Sequence, residues 1–247
     1  MLIVSKFGGT SVADAGCIFR AAQKLTLQAQ AGHQVVAVVS AQGDLTDRLL
    51  EKIDGVTPAP DPRESDACVS AGEQISAALM AMAVQHLGFP SVSLSGWQAG
   101  ICTDDRHQYA NILRLEGDRI ERELDRGKVV IVAGFQGVNS QRDITTLGRG
   151  GSDTTAVALA AMLGAQDCRI YTDVDGVYDK DPRKYADAVK YKTICYDDVL
   201  ALCHSGAQVL HDRCVEVGKR SGVPIRVLST FRDVPGTLVW GGATELF

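Results

Sequence analysis

The chain has 247 residues, a net charge of −5, and ordinary shares of apolar (45%) and charged (22%) residues. That length can bury a full core as one large domain or two lobes, and an acidic balance without Lys/Arg clusters argues against nucleic acid as a partner. The longest apolar runs, at 35–39 and 129–133, are too short to span a bilayer, Lys6 and glycines stand where a signal peptide needs an apolar core, and seven cysteines without CxxC spacing read as reduced cytosolic thiols.

In chain order, residues 2–5 read as a short buried strand. The glycine-rich segment KFGGTS (6–11) follows, then a helix from about Ala13 to Gln30 with Thr10 or Ser11 available as its cap. Residues 34–40 form the next strand, and both strands are apolar throughout, as in a parallel sheet covered on both faces. Residues 54–64 hold three of the seven prolines and read as a loop. A long helix from roughly Ser65 to His86 takes Ser65 or Asp66 as its N-cap. A strand at 91–95, a charged helix over 110–126, a buried strand over 128–135 and a polar turn from Asn139 to Asp143 come next. A second glycine-rich segment, TTLGRGGSD (145–153), opens a helix from Thr154 to Leu163. A strand at 168–172 ends at Asp173. Helices near 196–203 and 206–220 and strands at 225–229 and 237–240 complete an α/β doubly wound pattern. A lobe boundary is expected near 164–168.

The two glycine segments carry the chemistry. Each follows a strand-like run and sets a long cation beside backbone N–H groups, the arrangement that wraps a phosphate. KFGGTS is not a Walker A loop, because its Lys precedes the glycines. Lys6 nevertheless ends a strand, where open α/β sheets bind ligands; taken alone, an ordinary βα turn explains the segment equally well. GRGGSD departs from GxGxxG at Asp153, which excludes a dinucleotide fingerprint. Arg149 offers a planar fork for carboxylate or phosphate, and Asp153 stands at a helix start, where the dipole favours its charge. TDVDGVYDKDPR (172–183) fails the EF-hand template and fits a nucleotide pocket better, with a charged surface loop as the plain alternative. Glu73 lies among small helix residues that leave room for a ligand. Cys203, His204, His211 and Cys214 lack compact metal spacing, and the two cysteines read as small apolar packing residues, so no metal site is assigned.

Together, SKFGGTSV (5–12), SAQGDLTD (40–47), SAGE (70–73), GFQG (134–137), TTLGRGGSDTTA (145–156), YTDVDGVYDKDPR (171–183) and SGAQVLH (205–211) resemble the aspartate kinase branch of the amino-acid kinase family, in family order over nearly the whole chain. The resemblance implies a three-layer αβα sandwich with a mostly parallel central sheet. An N-lobe, about 1–166, would take the amino acid, and a C-lobe, about 167–247, the nucleotide. The implied reaction is ATP-dependent phosphorylation of the β-carboxylate of L-aspartate, the first step toward lysine, threonine and methionine, in a cytoplasmic homodimer. Lys6 would lie against the transferring phosphates, and Asp153 would position Lys6 or the substrate amine. Ser40, Thr46, Glu73, Arg149, Gly150, Gly151 and Ser152 would bind aspartate. Gly8, Gly9, Thr172, Asp173, Tyr178 and Arg183 would join Lys6 on ATP, which would bring its own Mg²⁺. A kinase for a related small amino acid and a catalytically weak regulatory or ligand-binding subunit are the alternatives.

Two departures stand out. The family pattern has Lys where Gln208 stands and Pro where Asp212 stands. Loss of that cation predicts weaker ATP binding, by about 1–3 kcal/mol if the contact was charge-assisted. The chain also stops eight residues after the VPGTLV-like segment (234–239), so a catalytic module without ACT regulatory domains is expected.

Overall fold

The computed structural model describes residues 1–182, 184–205 and 210–247. Its strands are β1 (Leu2–Phe7), β2 (Gln34–Val39), β3 (Ser91–Leu94), β4 (Ile101–Thr103), β5 (Ile112–Leu115), β6 (Val129–Ala133), β7 (Gln136–Val138), β8 (Ile144–Thr146), β9 (Asp167–Thr172), β10 (Tyr191–Cys195), β11 (Ile225–Ser229), β12 (Thr237–Trp240) and β13 (Glu245–Leu246). Its helices are α1 (Ala15–Gln30), α2 (Leu45–Val56), α3 (Pro62–Val69), α4 (Ala71–His86), α5 (Asp118–Asp125), α6 (Gly151–Met162), α7 (Tyr196–His204) and α8 (Asp212–Ser221).

Nine strands form the main sheet in the order β13-β10-β12-β11-β9-β1-β2-β6-β3. The pairs are parallel except β11–β12 and β10–β13. A smaller sheet, β5-β4-β7-β8, stands beside it. The central strands β2 and β6 are apolar on both faces because both faces are covered. Val35, Ala37, Val39, Val129, Ile131 and Ala133 feed a core with α1 and α4. Their alternating neighbours Val36, Val38, Val130 and Val132 feed a second core with residues of α5, α6, α7 and α8. Two cores separated by one sheet make a three-layer αβα sandwich.

The strands up to β6 lie on one side of β1 and those from β9 onward on the other. Strand order therefore reverses between β1 and β9, the place where open α/β sheets form a ligand crevice. The register aligns Phe7 with Val39 and with Tyr171, so the carboxyl ends of β1, β2 and β9 share one edge.

Several sequence expectations are corrected. The span 45–56 is helix α2; none of its residues is fully buried, and its apolar stripe of Leu45, Leu49 and Ile53 is only partly covered. Its partner α3 starts at Pro62 with Asp61 as N-cap, whose carboxylate accepts from the N–H groups of Arg63 and Glu64 at 2.9 and 3.3 Å. Ser65 and Asp66 are therefore buried helix residues, not caps. The span 110–126 divides into strand β5 and the shorter helix α5. The first helix is capped by Asp14, which accepts from Cys17 N at 2.8 Å. Ser11 instead meets Thr230 across 2.6 Å in the interior. Residues 206–209, expected to begin the last helix, lie outside the described residues. Pro62–His86 is the only helical stretch among the described residues long and apolar enough to cross a bilayer, with mean hydropathy 1.4 over its best window. More than half of that window is buried, with Met80 and Val84 packed in the α1/α4 core.

Candidate active site

A cleft of about 620 Å³ opens at the carboxyl ends of β1 and β2. Lys6 enters it from β1, and its Nζ lies 2.6 Å from Asp153 Oδ1 in the first turn of α6. Both side chains are almost covered, 11% and 14% exposed. Such a pair gains from weak solvent screening, and removing one member strands the other charge.

The loop after β2 meets the loop after β1. Gly43 N donates to Gly9 O at 3.0 Å, and a Cβ on Gly9 would come within 2.9 Å of Ala41 O. Glycine at 9 is thus the condition for this contact, which brings Ser40, Ala41 and Thr46 to the cleft wall. Gly150 holds φ +69° as the residue before α6, and a Cβ there would strike the His211 ring. That backbone turns Arg149 and Gly150 toward the cleft and presents the amino end of α6, with Ser152 and Asp153, to whatever occupies it. Arg149 is exposed and has no carboxylate partner among the described residues.

Glu73 reaches the cleft from the first turn of α4 and is 4% exposed. Its Oε1 accepts from Ala41 N at 3.1 Å, whereas Oε2 has no partner among the described residues. Burial pushes its carboxyl up to about 7, with the Ala41 N–H pulling the other way. A buried, half-satisfied carboxylate in a cleft wall is a place for a cationic group.

Of the residues singled out in the sequence, Lys6, Gly9, Ser40, Thr46, Glu73, Arg149, Gly150, Gly151, Ser152 and Asp153 line this one cleft. Thr172, Asp173 and Tyr178 do not line it. Thr172 ends β9, the strand beside β1, where Gly8 N donates to Tyr171 O at 3.3 Å, and Asp173 and Tyr178 follow it. Thr172 Oγ1 donates to Asp173 Oδ1 at 3.0 Å, and the Tyr178 hydroxyl to Asp175 Oδ1 at 2.7 Å. Burial and the adjacent Asp175 carboxylate raise the Tyr178 phenol to about 12, so it stays a donor. Arg183 and Gln208 lie outside the described residues.

Ala41, Asp66, Gln108, Tyr109, Phe135 and Gly148 also line the cleft and were given no site role from the sequence. Gln108 and Tyr109 lie in an irregular loop whose position is set by partners far along the chain. Asp66 had a signal: a carboxylate inside a helix that folds against the sheet needs a reason to be there.

A phosphate-sized anion at Lys6 and a zwitterion between Arg149 and Glu73 is the chemistry that this cleft can hold. A profile of the amino acid kinase family matches residues 1–229. The chain belongs to that family. Within it the similarity is to aspartokinases: the chain is 49% identical to the aspartokinase of Mycobacterium tuberculosis over 246 residues, 99% of this chain and 58% of that protein. It thus spans well under two thirds of the length of that curated relative. Among solved structures, the aspartate kinase from Synechocystis superposes with a TM-score of 0.87 at 45% identity, covering 98% of this chain and 40% of that one. E. coli aspartokinase III in complex with aspartate and ADP superposes with a TM-score of 0.88 at 28% identity, covering 98% and 65%.

Proposed function

We propose that the chain transfers the γ-phosphoryl group of ATP to the β-carboxylate of L-aspartate, giving 4-phospho-L-aspartate. One observation carries this reading. A single cleft joins a sequestered cation, Lys6, to a guanidinium, Arg149, and a buried carboxylate oxygen, Glu73 Oε2, neither of which has an opposite charge beside it among the described residues. The similarity to an aspartokinase solved with aspartate and ADP supports the same substrates.

In this reading Arg149 clamps the α-carboxylate in a bidentate pair, and Glu73 Oε2 takes the ammonium. The attacking β-carboxylate is already ionised at neutral pH, so no general base is needed. Ser40, Thr46 and the Gly150–Ser152 amides fix its direction. Lys6, held by Asp153, offsets charge between two anionic reactants, the main demand of phosphoryl transfer. Gly8 and Gly9 let the phosphates approach the chain. Thr172, Asp173, Tyr178 and Arg183 hold the nucleotide from the β9 side, which assigns residues 167–247 to ATP and 1–166 to the amino acid. Mg²⁺ arrives on ATP and supplies further charge neutralisation. A homodimer and a cytoplasmic setting complete the proposal, the latter supported by seven unpaired cysteines.

The test is acyl phosphate trapping with hydroxylamine, using Mg-ATP and a panel of acidic amino acids. Hydroxamate is expected with L-aspartate, falling by about a hundredfold or more in Lys6→Ala, the scale seen when one electrostatic donor is removed. No product with any acid, while ATP still binds, would replace this reading with a regulatory or ligand-binding subunit.

A further inference from the structure

Asp66 is 0% exposed yet has no place in the chemistry just described. Its surroundings consist largely of donors. Oδ1 accepts from Thr146 Oγ1 at 2.6 Å and Gln108 N at 3.2 Å. Oδ2 accepts from Gln108 N at 2.9 Å and Thr146 N at 3.1 Å, and it lies 2.9 Å from His107 Nδ1. Both oxygens are therefore occupied, so Asp66 is not free to bind a ligand. These partners belong to two segments distant in sequence. One is the loop 104–111, which puts Gln108 and Tyr109 on the cleft wall; the other is β8, which runs into the Gly148–Ser152 loop.

The loop needs holding. Gln108 has φ +68°, a conformation that side chains rarely adopt and that surrounding contacts must enforce. Tyr109 is 64% exposed at the cleft mouth, and its ring leaves no room for a Cβ on Gly148. On the far side, Ala110 N donates to Thr146 O at 2.9 Å, and Arg213 Nη2 donates to Ala110 O at 3.0 Å. Asp66 supplies the clamp on the near side, at the strained residue itself.

We propose that Asp66 is a positioning residue. It fixes the Gln108–Tyr109 lip against the Arg149 loop and so sets the amino-acid half of the cleft without touching substrate. This rests on the reading of the cleft as an aspartate site. It predicts a selective effect, because none of the groups that Asp66 holds lies on the β9 side.

The test pairs kinetics with hydrogen exchange on Asp66→Ala and Asp66→Asn. In Asp66→Ala, amide exchange over residues 104–111 should accelerate. KM for the amino acid should rise at least about tenfold, a small misplacement being enough for such losses, while KM for ATP stays within about twofold. Asn keeps one acceptor edge and should fall between Ala and the parent. If Asp66→Ala does not fold, Thr146→Val removes the 2.6 Å bond alone and should give the same pattern more weakly. Unchanged exchange over 104–111, or both KM values rising together, would overturn the proposal. If the parent chain makes no acyl phosphate, the functional reading fails by itself, and the exchange pattern still decides whether Asp66 sets the lip.

Discussion

Glu73 illustrates how the cleft trades stability for recognition. Burial penalises the charge and pushes its carboxyl up to about 7 in the folded protein, against 4.5 ordinarily. Between those two values the folded chain holds a proton that the unfolded chain has lost. Stability therefore falls as pH rises through that window and levels off above it. Glu73→Gln removes the penalty. The unligated variant should be more stable than the parent at pH 8 by something on the order of 2 kcal/mol, the two converging as pH falls toward the lower value, in urea titrations. Catalysis should move the other way. Losing a charged partner for the ammonium costs about 1.5–3 kcal/mol, so KM for the amino acid should rise about ten- to a hundredfold. A Gln variant that is both less stable and fully active would contradict both arguments. At this scale Lys6, Arg149 and Asp153 were legible in the sequence, because strand end, glycine and charge are local signals. The Asp66 clamp was not, because its partners His107, Gln108 and Thr146 lie about 40 and 80 residues away in the chain.

Among the elements, the long apolar strands were legible because burial on both faces removes polar residues. β2 and β6, covered on both faces, stand close to where their runs predict. The short strands β4, β5, β7 and β8 were missed, since three or four residues show no resolvable period and belong to a small, partly exposed sheet. Helix α2 was missed because proline density drew the boundary of the loop too early and its apolar stripe is only partly covered. The same prolines mark a true start seventeen residues after that of α2: Pro62 takes the first position of α3, where its missing N–H costs nothing, and Asp61 caps it. Replacing Asp61 by Ala leaves two amide donors unsatisfied and should cost about 1 kcal/mol, and Asp61→Asn much less. Denaturant midpoints measure both. Since α3 carries Asp66, a cost far below that figure would mean that packing alone sets the start of this helix.

On the scale of the whole molecule, the sequence boundary near 164–168 separates two proposed roles but not two cores. β1 pairs directly with β9 across that boundary. One apolar cluster runs from Val4, Val36 and Val130 to Ile170, Val227 and Val239. Arg213 on α8 donates to Leu147 O and to Ala110 O, holding the amino-acid loops from the nucleotide side. A chain of this length often unfolds through intermediates. Here neither half can open without exposing the flank of the other, so the two should melt together. The two tryptophans report on the two halves, Trp97 between β3 and β4 and Trp240 at the end of β12. In the single-tryptophan variants Trp97→Phe and Trp240→Phe, the fluorescence transitions in urea should coincide in midpoint and slope with each other and with loss of helix signal. Separated transitions would mean that each side of the β1–β9 junction has its own stability. The cleft, which draws Lys6 from one side and needs the β9 edge from the other, would then depend on docking of two units instead of on one continuous sheet.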